Sequence, residues 1–329
     1  MIGGETVHKT IIRRFLILIP QLFVISVLMF LLAYNMPGDA LTGLTDNPAV
    51  DQQHLQAMRE QLGLNDPWPK QYFRWIGGIV VRGDFGHSVT HQRPVLGLIG
   101  ERAINTFWLA LFATTLTYLI AIPLGIVAGR FNDRLVDKGI GVYTFMAMAM
   151  PTIVFALILL LIFGFRLQWF PVRGTSTIEA FETGGLTYLV SRLHHMILPA
   201  VTVALLNGIL IIQYLRGEIV RHKSSDYVMT ARSKGVPERK VYSHHIFRNA
   251  IIPIASNIGF VVVTLLAGSI FIEKIFSFPG MGRLFLDSVV GRDFTTVNAL
   301  IILYAILYAL GSLLSDIILT IVDPRIRIK

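Results

Sequence analysis

Two pairs of adjacent histidines, His194–His195 and His244–His245, and one carboxylate inside an apolar run, Asp316, are the residues whose type and place could support chemistry. Neighbours on a helix point in different directions, so neither histidine pair makes the i, i+4 face that holds a metal. Each pair stands at the edge of a long apolar run, where an interfacial histidine is the favoured reading over a metal ligand. An ionised carboxylate at the centre of a membrane helix costs about 2.5–3.5 kcal/mol. Asp316 stands about two turns before Asp323, and a paired structural charge is favoured over a proton relay. The sequence contains no H-E-x-x-H, no G-x-S-x-G elbow and no G-x-x-x-x-G-K-[ST] phosphate cradle. No catalytic or metal-ligating residue is therefore nominated and no cofactor is expected on this chain. An ATP drive would have to come from a partner.

The elements around these residues are dominated by apolar runs. The chain has 329 residues, 53% of them apolar and only 15% charged, well below the quarter usual in soluble domains. Cysteine is absent, which excludes a disulfide framework and thiolate metal sites. Six windows are long enough to cross a bilayer as helix: residues 12–34, 104–129, 139–165, 197–215, 250–272 and 297–322. The first follows Lys9, Arg13 and Arg14, as a signal peptide would. Its apolar length is too great for one and no small-x-small cleavage site follows, so it reads as a retained helix.

An even number of spans places both termini on one side. Of the 29 Lys and Arg, 17 fall on that terminal side, with seven acids, whereas the other side carries 12 with 12 acids. Both termini are thus expected in the cytoplasm. The net charge of +9 is explained by this topology and does not call for nucleic acid.

Between the first two spans, residues 35–103 are too polar to cross the membrane. Asp51 can cap a helix carrying Leu55, Met58 and Leu62 on one face and ended by Gly63. Trp68, Tyr72, Phe73 and Trp75 follow, rings suited to the headgroup region. A small helical outer subdomain is expected, either bracing the helices or docking an external partner. Residues 273–296 carry Pro279, Gly280 and Gly282 in a tight turn, readable as a connector or as a re-entrant lip. Asn207, Gln213, Ser256, Asn257 and Thr264 are polar groups within spans, able to line a wet path or to join helices by hydrogen bonds. The MAMAM run at 146–150, around Met148, offers adaptable sulfur-bearing surface, though methionine more often simply packs.

The longest connection on the terminal side, 216–249, contains DYVMTARSKGVPERK at 226–240. Ser225 or Asp226 can cap a short helix, Gly235 can close it, and Pro237 with Glu238 can begin a second. Tyr227, Val228, Ala231 and Lys234 share one face, a narrow ridge with a small residue at its middle. Attraction to membrane lipid explains the cations but not the Ala–Gly–Pro punctuation.

TARSKG at 230–235 followed by HHIFRNAIIP at 244–253 resembles the cytoplasmic EAA loop of ABC importer permeases, in the version typical of the peptide and nickel branch. Where the general loop has Glu-Ala-Ala, this chain has Met229-Thr230-Ala231, so contacts of the usual Glu are not implied. The resemblance extends over nearly the whole chain. MPGDA at 36–40, QLGLNDPWPKQYFRW at 61–75, GDFGHS at 83–88, WFPVRG at 169–174, HHMILPA at 194–200, FSFPGMGRLF at 276–285, GRDF at 291–294 and DPRIR at 323–327 are similar to segments of dipeptide/oligopeptide-type permeases.

The resemblance implies an all-α integral membrane protein with the type I ABC importer permease fold, six transmembrane helices, and the outer subdomain between helices 1 and 2. Its expected divisions are residues 1–34, the extracytoplasmic 35–103, a core at 104–322 containing the coupling loop 216–249, and a tail at 323–329. Implied partners are a second, related permease, two ABC ATPase subunits carrying ATP and Mg, and an extracytoplasmic solute-binding protein, in a bacterial or archaeal cytoplasmic membrane. Peptides are the preferred cargo, with nickel complexes or another small solute as the alternative.

Asp226, Tyr227, Ala231, Arg232, Lys234, Gly235 and Pro237 are expected to couple to an ATPase. Met148, Asn207, Gln213, Ser256 and Asn257 are assigned to the path, and Phe278, Pro279, Gly280, Met281 and Gly282 to the binding-protein contact or outer gate. An ion-driven transporter would instead work alone from a gradient and usually displays several intramembrane charges. An intramembrane enzyme would need facing acid, His or Ser groups that the spans do not offer, and a scaffold would not need the punctuated helix.

Overall fold

Proline and glycine punctuate the structure as strongly as hydropathy does. The computed structural model describes residues 3–35, positions 53, 56, 57, 59, 60 and 63, residues 65–255, positions 259, 261 and 263, and residues 267–322. The chain divides into two compact units. One comprises Met1–Thr106 and Pro279–Ala309, the other Phe107–Phe278 and Leu310–Lys329.

In the first unit, helix α1 (Gly3–Asn35) packs against α2 (Trp68–Arg82). Pro67 at the N-cap and Pro69 in the first turn remove N–H groups that have no helical partner there, and Gly83, at φ +64°, ends α2 in the left-handed region. Tyr72 is buried against Phe23 and Phe30 of α1, and its hydroxyl lies 2.8 Å from Ser26 Oγ. The sequence reading gave this ring to the headgroups; the structure uses it to clamp two helices, while Phe73 stays exposed. The helix expected from Asp51 through Leu55, Met58 and Leu62 lies outside the described residues, apart from Gly63 at φ +65°.

A hairpin that the all-helical reading did not foresee follows, β1 (His87–Ser88) paired antiparallel with β2 (Arg93–Pro94). It leads into α3 (Val95–Arg130), which enters the second unit. The first unit is completed by α11 (Met281–Val290) and the beginning of α12 (Phe294–Val322). Val95, Leu98, Ile99, Met281, Leu284, Ala299 and Leu300 form its core.

In the second unit, α3 is followed by α4 (Leu135–Ala149) and α5 (Thr152–Leu159), which continues as π-helical turns over Leu160–Arg166. The window 139–165 was expected as one span, but α4 and α5 are bent by 110°. Pro151 supplies no N–H, and Met150 before it is extended at ψ 126°, so the helical ladder is interrupted there. Next come α6 (Ile178–Thr183), capped by Thr177, and α7 (Gly185–Lys223), then the short α8 (Asp226–Ser233) and α9 (Glu238–Lys240). Turns over Val241–Ile246 and Phe247–Ala250 lead on, and α10 (Ile270–Ile275) closes the series.

The ends of α3 and α7 touch at two glycines. A Cβ on Gly125 would lie 2.9 Å from Leu215 Cβ, and one on Gly129 would lie 2.7 Å from Ile219 Cβ. Small residues permit this close backbone approach, as membrane helices commonly require.

Among the described residues, three helices are long and apolar enough to cross a membrane (α3, α7 and α12), and the bent pair α4–α5 makes a fourth. The expected first span is helical and carries the apolar stretch Leu16–Leu32, while the expected span 250–272 is described only in pieces. The backbone at Asp316 is helical, but its side chain and Asp323 lie outside the described residues.

Candidate functional site

The segment between α7 and the turns after α9 is built by alternating apolar anchoring with exposed polar surface. Ser225 is extended at the N-cap of α8 and makes no side-chain cap bond, and Asp226 places a negative charge in the first turn, where the helix end favours it. Val228 and Ala231 turn inward, 0% and 6% exposed, onto Leu215, Ile219, Val241, Ile246 and Ala250.

The helix ends as the punctuation predicts. Gly235, at φ +74°, donates its N–H to the Arg232 carbonyl at 2.9 Å, and the Val236 N–H reaches the Ala231 carbonyl at 3.2 Å. These paired bonds satisfy carbonyls that a helix end otherwise leaves open, and the left-handed residue is the place for glycine. Pro237 occupies the N-cap of α9. Across the turn, Arg232 Nε donates to Glu238 Oε1 at 2.7 Å, and that bond holds the guanidinium pKa above its ordinary value.

The exposed side of α8 therefore presents Asp226, Tyr227, Met229, Thr230, Arg232 and Lys234. Ala231 differs from expectation: the small residue on the ridge faces the protein's own core. Val228 and Ala231 are the apolar i, i+3 pair of a two-turn helix, and burying that face leaves the other for solvent. Tyr227 stays at the rim, its hydroxyl 2.9 Å from His222 Nδ1.

An ion pair between distant segments secures this region. Arg216 of α7 donates Nε to Asp137 Oδ1 at 2.6 Å and Nη2 to Asp137 Oδ2 at 2.7 Å. Lys223 Nζ donates to the Arg130 carbonyl at 2.9 Å and to the Asn132 side chain. The Arg130 guanidinium in turn lies 5.2 Å from the Tyr242 ring centroid. Sequence reasoning assigned Asp137 and Arg216 only to the charge balance, because 79 residues separate them.

Of the residues assigned to a path, Gln213 Nε2 lies 3.3 Å from Met148 Sδ, so the structure brings these two together, both exposed. Asn207 is exposed on α7 two turns earlier. Ser256, Asn257 and Thr264 lie outside the described residues.

The residues assigned to an outer contact prove largely interior. Phe278 is fully buried with Leu109, Leu198, Ile272 and Phe276 in the second unit. In the first unit, the Pro279 carbonyl accepts from Asn105 Nδ2 at 3.0 Å, and Gly280 caps α11. The buried Met281 donates its N–H to Thr106 Oγ1 at 2.8 Å, and Gly282 is buried beside it. The exposed ground nearby is Val289, Val290 and Arg292.

A second network in the first unit was also missed. Asp293, fully buried at the start of α12, accepts from the Thr296 N–H at 3.2 Å, from the Thr296 hydroxyl at 2.8 Å and from the Ser88 hydroxyl. Thus GDFGHS and GRDF, 205 residues apart at this bond, are two halves of one contact. Gly86, at φ +82°, permits it: a Cβ there would come 2.8 Å from Thr295 Cγ2.

The histidine pairs are held by the backbone or by each other. His194 Nε2 lies 2.9 Å from the Trp169 carbonyl and His195 Nδ1 2.8 Å from that of Ser191, while the His244 and His245 rings stand edge to face. Among the described residues no group of three potential metal ligands occurs.

Comparison with known proteins supplies the frame for these observations. The chain is 37% identical over 318 residues to the oligopeptide transport system permease protein AppB of Bacillus subtilis (strain 168), covering 96% of this chain and 98% of the relative. It is 34% identical over 319 residues to the glutathione transport system permease protein GsiC of Escherichia coli (strain K12), covering 97% and 99%. Among solved structures, the MetNI methionine ABC transporter in inward-facing conformations matches with a TM-score of 0.51 at 12% identity, over 69% of this chain and 97% of that one. That likeness establishes the type I ABC importer permease fold. In such systems ATP hydrolysis resides on separate subunits. Family models for the N-terminal membrane component of binding-protein-dependent transport systems (residues 7–117) and for their inner membrane component (residues 121–328) together span nearly the whole sequence. This chain therefore belongs to the family of binding-protein-dependent transport system inner membrane components.

Proposed function

We propose that the chain forms half of a membrane path for peptides. An external solute-binding protein delivers the cargo, a second, related permease completes the path, and two partner ATPases, with ATP and Mg, drive it. The relatives named for oligopeptides and for glutathione both point to peptide cargo. Both termini are cytoplasmic, as 17 of 29 Lys and Arg falling on their side supports. The tail at 323–329 lies on that side with the coupling loop 216–249. Residues 35–103 are extracytoplasmic and meet the binding protein together with the surface around Val290 and Arg292, for which Pro279, Gly280, Met281 and Gly282 of the same unit form the buried support.

The observation that carries this reading is the two-sided character of α8. Its exposed side, Asp226, Tyr227, Arg232 and Lys234 with Met229 between them, sits in a groove of one ATPase. Its inner side, Val228 and Ala231, is fastened to α7 and to the 241–250 turns, while Gly235 and Pro237 fix where it ends. Closure of the ATPases moves α8, and the packing passes that movement to the spans, because a packed interface shifts between discrete arrangements. Met148, Asn207 and Gln213, with Ser256 and Asn257, line the path; amide side chains suit passage of a peptide backbone better than contact with lipid.

Affinity purification of the tagged chain tests this. A second permease and two ATPases should co-purify, and proteoliposomes of the complex should take up peptide only with ATP and binding protein. Combined Tyr227→Ala, Met229→Glu and Lys234→Glu should release the ATPases while the permease pair persists. Uptake by this polypeptide alone, driven by an ion gradient without ATP, would overturn the assignment.

A further inference from the structure

The first turn of α4 is held by one residue. Leu135, Val136, Lys138 and Gly139 are exposed, whereas Asp137 is 4% exposed. Its carboxylate accepts both arms of the Arg216 guanidinium, at 2.6 and 2.7 Å, and the Asp133 N–H at 2.8 Å. A planar fork on a carboxylate fixes direction as well as distance, which a point cation or an apolar contact does not.

Arg216 stands between Leu215 and Ile219, α7 residues that share one buried core with Val228 and Ala231 of α8. The last turns of α7 thus hold the back of α8 by apolar contact and the start of α4 by charge. Lys223 adds a grip on the Arg130 carbonyl and Asn132, so the 130–137 connection is fastened at both ends. From Asp137, α4 runs to Met148 and to the bend before Pro151. Further along α4, the Tyr143 hydroxyl donates to the Leu205 carbonyl at 2.7 Å, a second tie to α7.

We infer that the Asp137–Arg216 pair is the joint that carries movement of α8 into the bent helices α4 and α5, with both residues acting as positioning residues for transport. This rests on the coupling role proposed for α8. Apolar packing at Gly125 and Gly129 moves α3 with α7; α4 rests on the same core through Ile140 and Tyr143, and at its exposed first turn the fork sets its direction. A staple needed only for folding would make hydrolysis and uptake fail together. A joint separates them.

The experiment uses proteoliposomes of the complete complex, meaning this chain with its co-purified permease and ATPases, supplied with binding protein and peptide. Asp137→Asn and Arg216→Lys should retain the ATPases and hydrolyse ATP, while peptide taken up per ATP falls about ten-fold, an ordinary size for coupling between sites. Uptake per ATP equal to wild type in both variants overturns the joint.

Spectroscopy gives a reading that needs no variant of the pair. Because the chain has no cysteine, nitroxides on Leu135→Cys and Arg221→Cys report the distance across the joint in complexes whose partner subunits have had their accessible cysteines replaced. That distance should be the same in nucleotide-free and ATP-trapped complexes, and a distance that changes with nucleotide overturns the proposal. Both readouts come from complexes that keep their ATPases, whereas the Tyr227, Met229 and Lys234 variants are read by release of the ATPases. Failure of the joint and failure of the coupling surface are therefore distinguishable.

Discussion

Two buried aspartates, Asp293 in the first unit and Asp137 in the second, solve the same problem in different ways. Both fasten a connection to a long helix. Asp293 takes only short donors, the hydroxyls of Ser88 and Thr296 and a backbone N–H, and it stands at the N-terminus of α12, where a negative charge is favoured. Hydroxyls and backbone have little freedom, so this knot holds one geometry. Asp137 takes an arginine whose side chain remains 40% exposed. The planar fork fixes the direction of one long helix against another, so this pair passes movement on while its own span stays constant. A corner closed by hydroxyls suits a static part of the molecule, and one closed by a guanidinium suits a moving part.

The contrast can be broken most directly at the static corner. Asp293→Ala leaves the Ser88 and Thr296 groups buried without their acceptor, and about 3 kcal/mol or more of stability should be lost. Thermal unfolding of the purified complex checks this, and an unchanged melting profile would remove the basis for calling that corner rigid. Gly129→Val should cost about 1–3 kcal/mol by forcing a side chain against Ile219, seen as a lower melting temperature and weaker expression.

Ala231→Glu comes next. It places a carboxylate among Leu215, Ile219 and Val241, and about 1–3 kcal/mol of destabilisation should accompany loss of uptake. Normal stability would mean that α8 turns its other side outward. The smallest effect on stability belongs to Met229→Glu, which should stay within about 0.5 kcal/mol of wild type because the residue is exposed. Its effect should appear instead as weaker retention of the ATPases in pull-down, separating the moving surface from its support.

Much of this was legible in the sequence, because long apolar runs and turn residues act locally. The ends of α8 follow from Gly235 and Pro237, and the helices at α3, α7 and α12 follow from hydropathy. What escaped depends on distance or on direction. Hydropathy reads straight through Pro151, since the residues on both sides are apolar, so the bend in the third window is invisible to it. The contacts of Ser88 with Asp293 and of Arg216 with Asp137 join charges and hydroxyls that look like ordinary loop residues until the chain is folded. Ala231 was assigned to a partner because small residues admit close approach, yet the same smallness serves the protein's own core. The i, i+3 spacing of Val228 and Ala231 was the available sign. Tyr72 was misplaced similarly, a ring suited to headgroups being equally suited to a neighbouring helix.

The bend between α4 and α5 has a consequence for the surrounding solvent. Where the ladder stops at Met150 and restarts after Pro151, carbonyls of the last α4 turn and N–H groups of the first α5 turn lose their helical partners. In hydrocarbon each such group left unsatisfied costs several kcal/mol. The side of the bend where those groups emerge is consequently closed to acyl chains and must be wetted or covered by protein. One proline thus draws a boundary between oil and water on a surface whose side chains, Met146 and Met148 among them, would by themselves accept either.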